Sequence, residues 1–220
     1  MKTSGLNNYF DNAATSFPKP EVCMHETRRY MESLGGPYGR SFYGRALEVA
    51  RTLEAARDLA AERLGARDGD RLVFMPNATY GINTVLKGLG LEGQDVYITP
   101  MEHNAVTRPL KYLEDCGRIK IKILPALPDG TVDISGMRDI DFSGTGLIAV
   151  NHMSNVNGLI QPVREIKMAA ADIPMLVDAA QSAGHIPVQS DEWNIDYLAF
   201  TGHKGLLGPT GTGGLFIRDN

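Results

Sequence analysis

A lysine set among glycines, an aspartate closing an apolar run, a histidine just past another such run and a threonine at a helix start are the residues of this chain best placed for chemistry. Lys204 follows the apolar stretch 197–200 and lies in the run 202–214, which holds six of the chain's 24 glycines and so allows close backbone approach. Asp178 terminates Met175-Leu176-Val177, and His103 stands shortly after Val96-Tyr97-Ile98-Thr99. Ala78 and Thr79 open a predicted helix, where unpaired backbone N–H groups and the positive end of the helix dipole favour a phosphate. Each also has an ordinary reading: Lys204 as a solvated surface cation, Asp178 as a helix N-cap, His103 as a partly buried structural histidine, and Asn77 or Thr79 as a simple cap.

Several other patterns fail in context. Gly88-Leu89-Gly90-Leu91-Glu92-Gly93 has the spacing of a dinucleotide fingerprint, yet it follows a helix and leads into a strand, the reverse of what pyrophosphate binding at a helix N-terminus requires. It reads as a helix cap and turn. Lys204 is followed by Gly205 rather than Ser or Thr, so no hydroxyl stands where a P-loop would ligate magnesium. Five scattered His and two distant Cys, Cys23 and Cys116, lack the spacing of a zinc site, so no metal is expected. The same two cysteines are too few for a disulfide framework. Together with a start that has no apolar leader segment, they point to a reducing, cytoplasmic setting.

The elements that must position these residues follow from periodicity. Val49, Leu53, Ala56, Ala60 and Leu64 form the stripe of an amphipathic helix over 46–64, closed by Gly65. Beyond it, short apolar runs at 72–75, 96–99, 119–124, 147–151, 175–178 and 197–201 alternate with helical stretches at 78–89, 103–115, 134–141 and 163–171. That alternation predicts an α/β fold in three layers, a mostly parallel sheet with helices on both faces, because parallel strands need crossover connections. Strands apolar almost throughout read as buried on both faces. Ligands of such sheets bind outside the carboxyl ends of the strands, and that is where His103, Asp178 and Lys204 fall. With 22 Lys+Arg against 26 Asp+Glu the chain has a net charge of −4, so no overall basic field recruits nucleic acid or an anionic membrane. Its longest aliphatic run is far too short to span a bilayer.

At these positions the chain resembles the cysteine desulfurase and selenocysteine lyase family, the class V branch of fold-type-I enzymes that use pyridoxal 5′-phosphate. The resembling segments are Phe10-Asp11-Asn12-Ala13-Ala14-Thr15, Asn77-Ala78-Thr79, Glu102-His103-Asn104-Ala105-Val106, Asn155-Val156-Asn157-Gly158, Val177-Asp178-Ala179-Ala180-Gln181 and Thr201-Gly202-His203-Lys204. Six motifs in register are specific where any one would be weak. The resemblance implies that Lys204 forms a Schiff base with the cofactor and that Asp178 pairs with its pyridine nitrogen. It implies that His103 stacks on the ring and moves a proton, and that Asn155 and Gln181 contact the ring hydroxyl. It assigns the phosphate to Ala78, Thr79, Thr201 and His203.

The implied activity is removal of sulfur from L-cysteine, giving alanine and a persulfide. Selenocysteine lyase or another class V reaction is the alternative, and an inactive cofactor-binding module is the non-enzymatic one. A further alternative is a doubly wound domain for some other phosphorylated ligand. The resemblance also implies a homodimer and a sulfur-acceptor protein as partners. It divides the chain into an N-terminal segment, 1–20, and a cofactor-binding large domain, 21–220. It places the small domain outside these residues, along with the arginine that clamps the substrate carboxylate and the cysteine that takes the sulfur. Neither Cys23 nor Cys116 stands at that cysteine's position. Val156 and Tyr80 stand where the desulfurases commonly carry Glu.

Overall fold

A computed structural model describes residues 8–170 and 172–218. In chain order the elements are α1 (Glu21–Arg29), α2 (Gly44–Arg63), β1 (Leu72–Met75), α3 (Ala78–Gly88), β2 (Gln94–Ile98), α4 (Asn104–Asp115), β3 (Ile119–Ile123), α5 (Ile134–Met137), β4 (Thr145–Asn151), α6 (Val163–Ala170), β5 (Met175–Asp178), β6 (Tyr197–Thr201) and β7 (Gly213–Ile217). The strands form one sheet in the order β1-β7-β6-β5-β4-β2-β3. From β6 to β3 all pairs are parallel, and β7 runs antiparallel to both β6 and β1. The expected mostly parallel, helix-covered sheet is what forms.

Period-two alternation divides the core between the two faces of the sheet. Leu147 and Ala149 of β4, with Leu176 and Ala199, pack against Ile82 and Leu86 of α3 and Val106 and Leu110 of α4. Ile148 and Val150, with Val177 and Leu198, pack on the other side against Ala61 and Leu64 at the end of α2 and Ile166 of α6. Gly65 has φ +67°, the left-handed conformation of a helix C′ glycine, as the sequence predicts.

Two differences from the sequence reading have physical causes. Strand β3 reads Ile-Lys-Ile-Lys-Ile and is not apolar throughout, because it is the sheet edge, and Ile123 there is exposed. The helix expected over 134–141 ends at Met137 after one turn capped by Asp133, whose side chain accepts from Ser135 N–H. The helix expected over 163–171 is α6, and its last expected residue lies outside the described residues. Two elements carry weak signals in sequence. Helix α1 buries no residue, so it shows no apolar stripe. Strand β7 begins with two glycines, poor strand formers. Gly213 is required nonetheless, since a Cβ there would lie 2.5 Å from the Phe200 carbonyl oxygen and 2.9 Å from Asn77 Cα.

The end of the sheet opposite the strand-end loops is closed by a buried ionic cluster. Asp196 accepts from Lys167 Nζ at 2.7 Å, Arg218 at 2.6 Å and Met175 N–H at 2.8 Å, and Lys167 Nζ also donates to the Ile173 carbonyl at 2.8 Å. Asp196→Ala strands the Lys167 ammonium, which is buried, without its carboxylate. We expect it to cost roughly 3 kcal/mol or more in urea denaturation, since removing one member of a buried pair leaves an uncompensated charge. An unchanged midpoint would show that the cluster adds nothing to stability.

Candidate active site

The register carries the carboxyl ends of the central strands to one level: Asn151 of β4 pairs with Asp178 of β5, which pairs with Ala199 of β6. Strands β3 and β4 leave β2 in opposite lateral directions, so a crevice opens at the strand-order switch, where His103 follows β2 and Asn151 ends β4. Above these ends lies a cleft of about 490 Å³. Ala78, Thr79 and His103 line it from the helix side, Asn155, Asp178 and Gln181 from the centre, and Thr201, His203 and Lys204 from the β6 end. All nine residues singled out in sequence are thus brought to one place.

Lys204 is half-buried, and burial pushes its ammonium below the usual lysine range while the negative charge of Asp178 partly restores it. A lysine so placed supplies a neutral, nucleophilic amine at lower pH than a free one. Asp178 is only 3% exposed. Burial raises its pKa; the Ala180 N–H, which donates to Oδ1 at 2.9 Å, and the charges of His103 and Lys204 pull it back down. The N-cap-like bond of Asp178 therefore occupies one carboxylate oxygen and leaves Oδ2 for the cleft. His103 caps α4: its Nδ1 accepts the Ala105 N–H at 3.0 Å. The neutral ring consequently carries its proton on Nε2.

At the other end of the cleft, Asn77 Oδ1 caps α3 by accepting Tyr80 N–H at 3.1 Å. Among the described residues the N–H groups of Ala78 and Thr79 have no partner within the protein. Two unpaired donors at a helix N-terminus, beside a threonine hydroxyl and the His203 ring, form a donor set for phosphate. Gln181 is buried and donates one of its two amide N–H groups to the Ala13 carbonyl at 2.8 Å, which leaves Oε1 as its side-chain acceptor. The loops bearing Gln181 and Lys204 meet through Gly184 and Gly205, where a Cβ on either would lie 2.5 Å from backbone atoms of the other loop.

Residues 8–220 match the model of a family described as aminotransferase class-V. The chain belongs to the aminotransferase class-V family. Among curated proteins, this class-V chain is 36% identical over 211 residues to a probable cysteine desulfurase of Methanothermobacter thermautotrophicus, covering 94% of this chain and 52% of that protein. Among solved structures it superposes on apo cysteine desulfurase from Thermococcus onnurineus NA1 with TM-score 0.88 and 34% identity, over 96% of this chain and 53% of that one. It also superposes on SspA in complex with cysteine, with TM-score 0.87 and 28% identity, over 96% and 61%. The chain spans about half the length of the curated relatives it matches.

Two features of the cleft carry no role in the sequence reading. The first is the wall formed by residues 11–19, of which Asp11, Ala13 and Ala14 line the cleft; the motif around Asn12 signals it, but no chemistry attaches to its residue types. The second is Glu102. Its Oε1 accepts Thr99 Oγ1 at 2.6 Å and Asn151 N–H at 2.7 Å, while Asn151 Nδ2 donates to the Met101 carbonyl at 2.7 Å, so the carboxyl ties the His103 loop to the end of β4. Its Oε2 is buried without a partner. Burial, with the charge of Asp178 added, pushes Glu102 up to about 8 against the hydrogen bonds from Thr99 and Asn151.

Between the ordinary glutamate value of 4.5 and about 8, the folded chain therefore holds a proton that the unfolded chain releases, and stability falls as pH rises through that window. Glu102→Gln keeps the Oε1 acceptor and removes the titration. The expected outcome is that the variant gains on wild type, by an amount on the order of a few kcal/mol, between denaturation at pH 5 and at pH 8. Parallel pH profiles for the two proteins would refute a neutral Glu102.

Proposed function

We propose that this chain is the cofactor-binding part of a pyridoxal 5′-phosphate-dependent, cysteine desulfurase-like enzyme. The observation that carries the reading is a single cleft containing a lysine amine with depressed basicity, a buried carboxylate and an unpartnered helix N-terminus. The donor set fits the group. The N–H groups of Ala78 and Thr79, with the hydroxyls of Thr79 and Thr201 and the His203 ring, would hold its phosphate. The Asp178 carboxylate would face its ring nitrogen, and Asn155 with Gln181 Oε1 its ring hydroxyl. When bound, pyridoxal phosphate supplies a carbonyl carbon for amines and an electron sink for charge developing at a substrate Cα.

The chain's own residues then divide the proton work. The Lys204 amine, in its neutral form, would take the Cα proton of the substrate. The Asp178 carboxylate, whose charged form the Lys204 ammonium favours, would hold the ring nitrogen protonated. His103 presents Nε2–H over the cleft as a donor. The substrate we assign is L-cysteine, a reading supported by the desulfurase relatives and by the cysteine complex of the SspA neighbour. Attack of a thiolate on the substrate sulfur breaks its C–S bond, forms the S–S bond of a persulfide and leaves alanine. Neither Cys23 nor Cys116 lines the cleft. We therefore assign that thiolate, and the arginine for the substrate carboxylate, to the small domain of the complete protein. The reading includes a cytoplasmic homodimer that hands its sulfur to an acceptor protein, with residues 21–220 as the large domain and 1–20 as a segment leading into it.

Mixing the chain with pyridoxal phosphate should produce a visible absorption band, and borohydride reduction should fix the cofactor on the peptide containing Lys204. Lys204→Ala should lose the fixed adduct and weaken cofactor binding about tenfold or more, ~1.4 kcal/mol. A wild-type chain that gives no adduct at Lys204 under these conditions rules the reading out.

A further inference from the structure

The carbonyl oxygen of His203, the residue immediately before Lys204, is ringed by donors from a segment nearly two hundred residues away in sequence. Ser16 reaches it with N–H at 3.0 Å and Oγ at 3.0 Å, Thr15 with Oγ1 at 3.1 Å and Lys19 with Nζ at 2.7 Å. A carbonyl oxygen offers two lone pairs, so four donors compete for it, and the charged donor at the shortest distance has the strongest claim. Lys19 Nζ also donates to Ser16 Oγ at 2.7 Å, which fixes the segment's own turn. Thr15 Oγ1 lies 3.1 Å from His203 Nδ1.

Among the described residues Lys19 has no carboxylate within ion-pairing distance. A half-buried ammonium that forgoes a counter-ion in favour of a peptide carbonyl is unusual, because exposed lysines ordinarily stay hydrated. Lys19 thus adds a second ammonium beside the loop that carries His203 and Lys204.

We propose that Lys19 is a positioning residue of this site: its ammonium, clamped on the His203 carbonyl, holds segment 11–19 onto the Lys204 turn and supplies fixed positive charge beside the His203 ring. Burial, then Lys204, then Lys19 depress the basicity of that ring. The groups charged toward His203 are thus Lys204 on its own loop and Lys19 on the segment packed against it. The proposal deepens the reading of Lys204 as the reactive amine and rests on it, so its test uses the chain without cofactor.

Three variants separate charge from shape: Lys19→Met removes both ammonium and donor, Lys19→Gln keeps a donor without charge, and Lys19→Arg keeps both. The His203 imidazole is titrated by NMR, and amide hydrogen exchange is followed over 11–19 and 201–205. Removing a nearby cation favours imidazolium, so Met and Gln should raise the His203 midpoint by roughly half a unit, while Arg restores the wild-type value. Exchange over both segments should quicken about tenfold in Lys19→Met and little in Lys19→Gln, the loss of one strong hydrogen bond. If Lys19→Met does not fold, the Gln and Arg titrations decide alone. A His203 midpoint that is the same in wild type and Lys19→Gln overturns the proposal, as does an Arg variant that titrates like Gln. A wild-type chain that fails to take up pyridoxal phosphate would instead remove the proposed function and leave these cofactor-free measurements standing.

Discussion

A carboxylate with 3% exposure can stay ionised only if charge and hydrogen bonds of the opposite sense surround it, and Asp178 imposes that condition on the whole strand-end region. The Ala180 N–H, His103 and Lys204 work toward it, against the larger effect of burial. Meeting it forces the β2–α4 loop, the β5 end and the β6 loop to converge. Parallel pairing of β4, β5 and β6 in the observed register makes the convergence possible, because it brings three strand ends to one level. Glu102 shows the other side of the same constraint. A second carboxyl in the same field cannot also be charged at neutral pH, so it stays protonated and serves as a tie between loops. Burial raises the pKa of both acids, and only for Asp178 do cations oppose the rise.

The two ends of the sheet handle buried charge differently. At the amino end of β5 and β6, Asp196 has Lys167, Arg218 and a backbone N–H as partners, and both oxygens are engaged. At the carboxyl end, Asp178 keeps one oxygen unengaged, Glu102 has an unpartnered oxygen, and the first N–H groups of α3 point to no protein acceptor. Satisfied polar groups make structure. Unsatisfied ones at a concave surface are capacity for a ligand, and they all lie on the side where the connections between strands leave a crevice.

Much of this was legible in sequence, for reasons that differ by element. The strands with both faces covered announced themselves as unbroken apolar runs, and the helices between them as period-3.6 stripes, so the sheet's central part and the position of His103, Asp178 and Lys204 at strand ends followed directly. The nine candidate residues all reached the cleft. Strand β7 was illegible because what selects Gly213 and Gly214 is the close passage of β6 and the Asn77 turn, a tertiary demand that reads locally as a loop. Helix α1 was illegible because it buries nothing. Glu102 and Lys19 carry ordinary residue types whose significance comes from partners 49 and 184 positions away, and no spacing rule reaches so far.

The cations that line the cleft also differ in kind from those outside it. Its lining includes His103, His203 and Lys204 but no arginine. Planar, bidentate recognition of an amino acid's carboxylate is the task for which a guanidinium is best suited. Arg108 stands in an adjoining groove with Lys87, a groove that shares Thr79, His103 and Ala105 with the cleft, and it is exposed on α4. The cations that line the cleft are thus single-point donors, and among the described residues that line it none offers the planar, bidentate geometry suited to a carboxylate. The chain spans about half the length of the relatives it matches, and under the proposed function recognition of a substrate carboxylate falls to groups other than those lining this cleft.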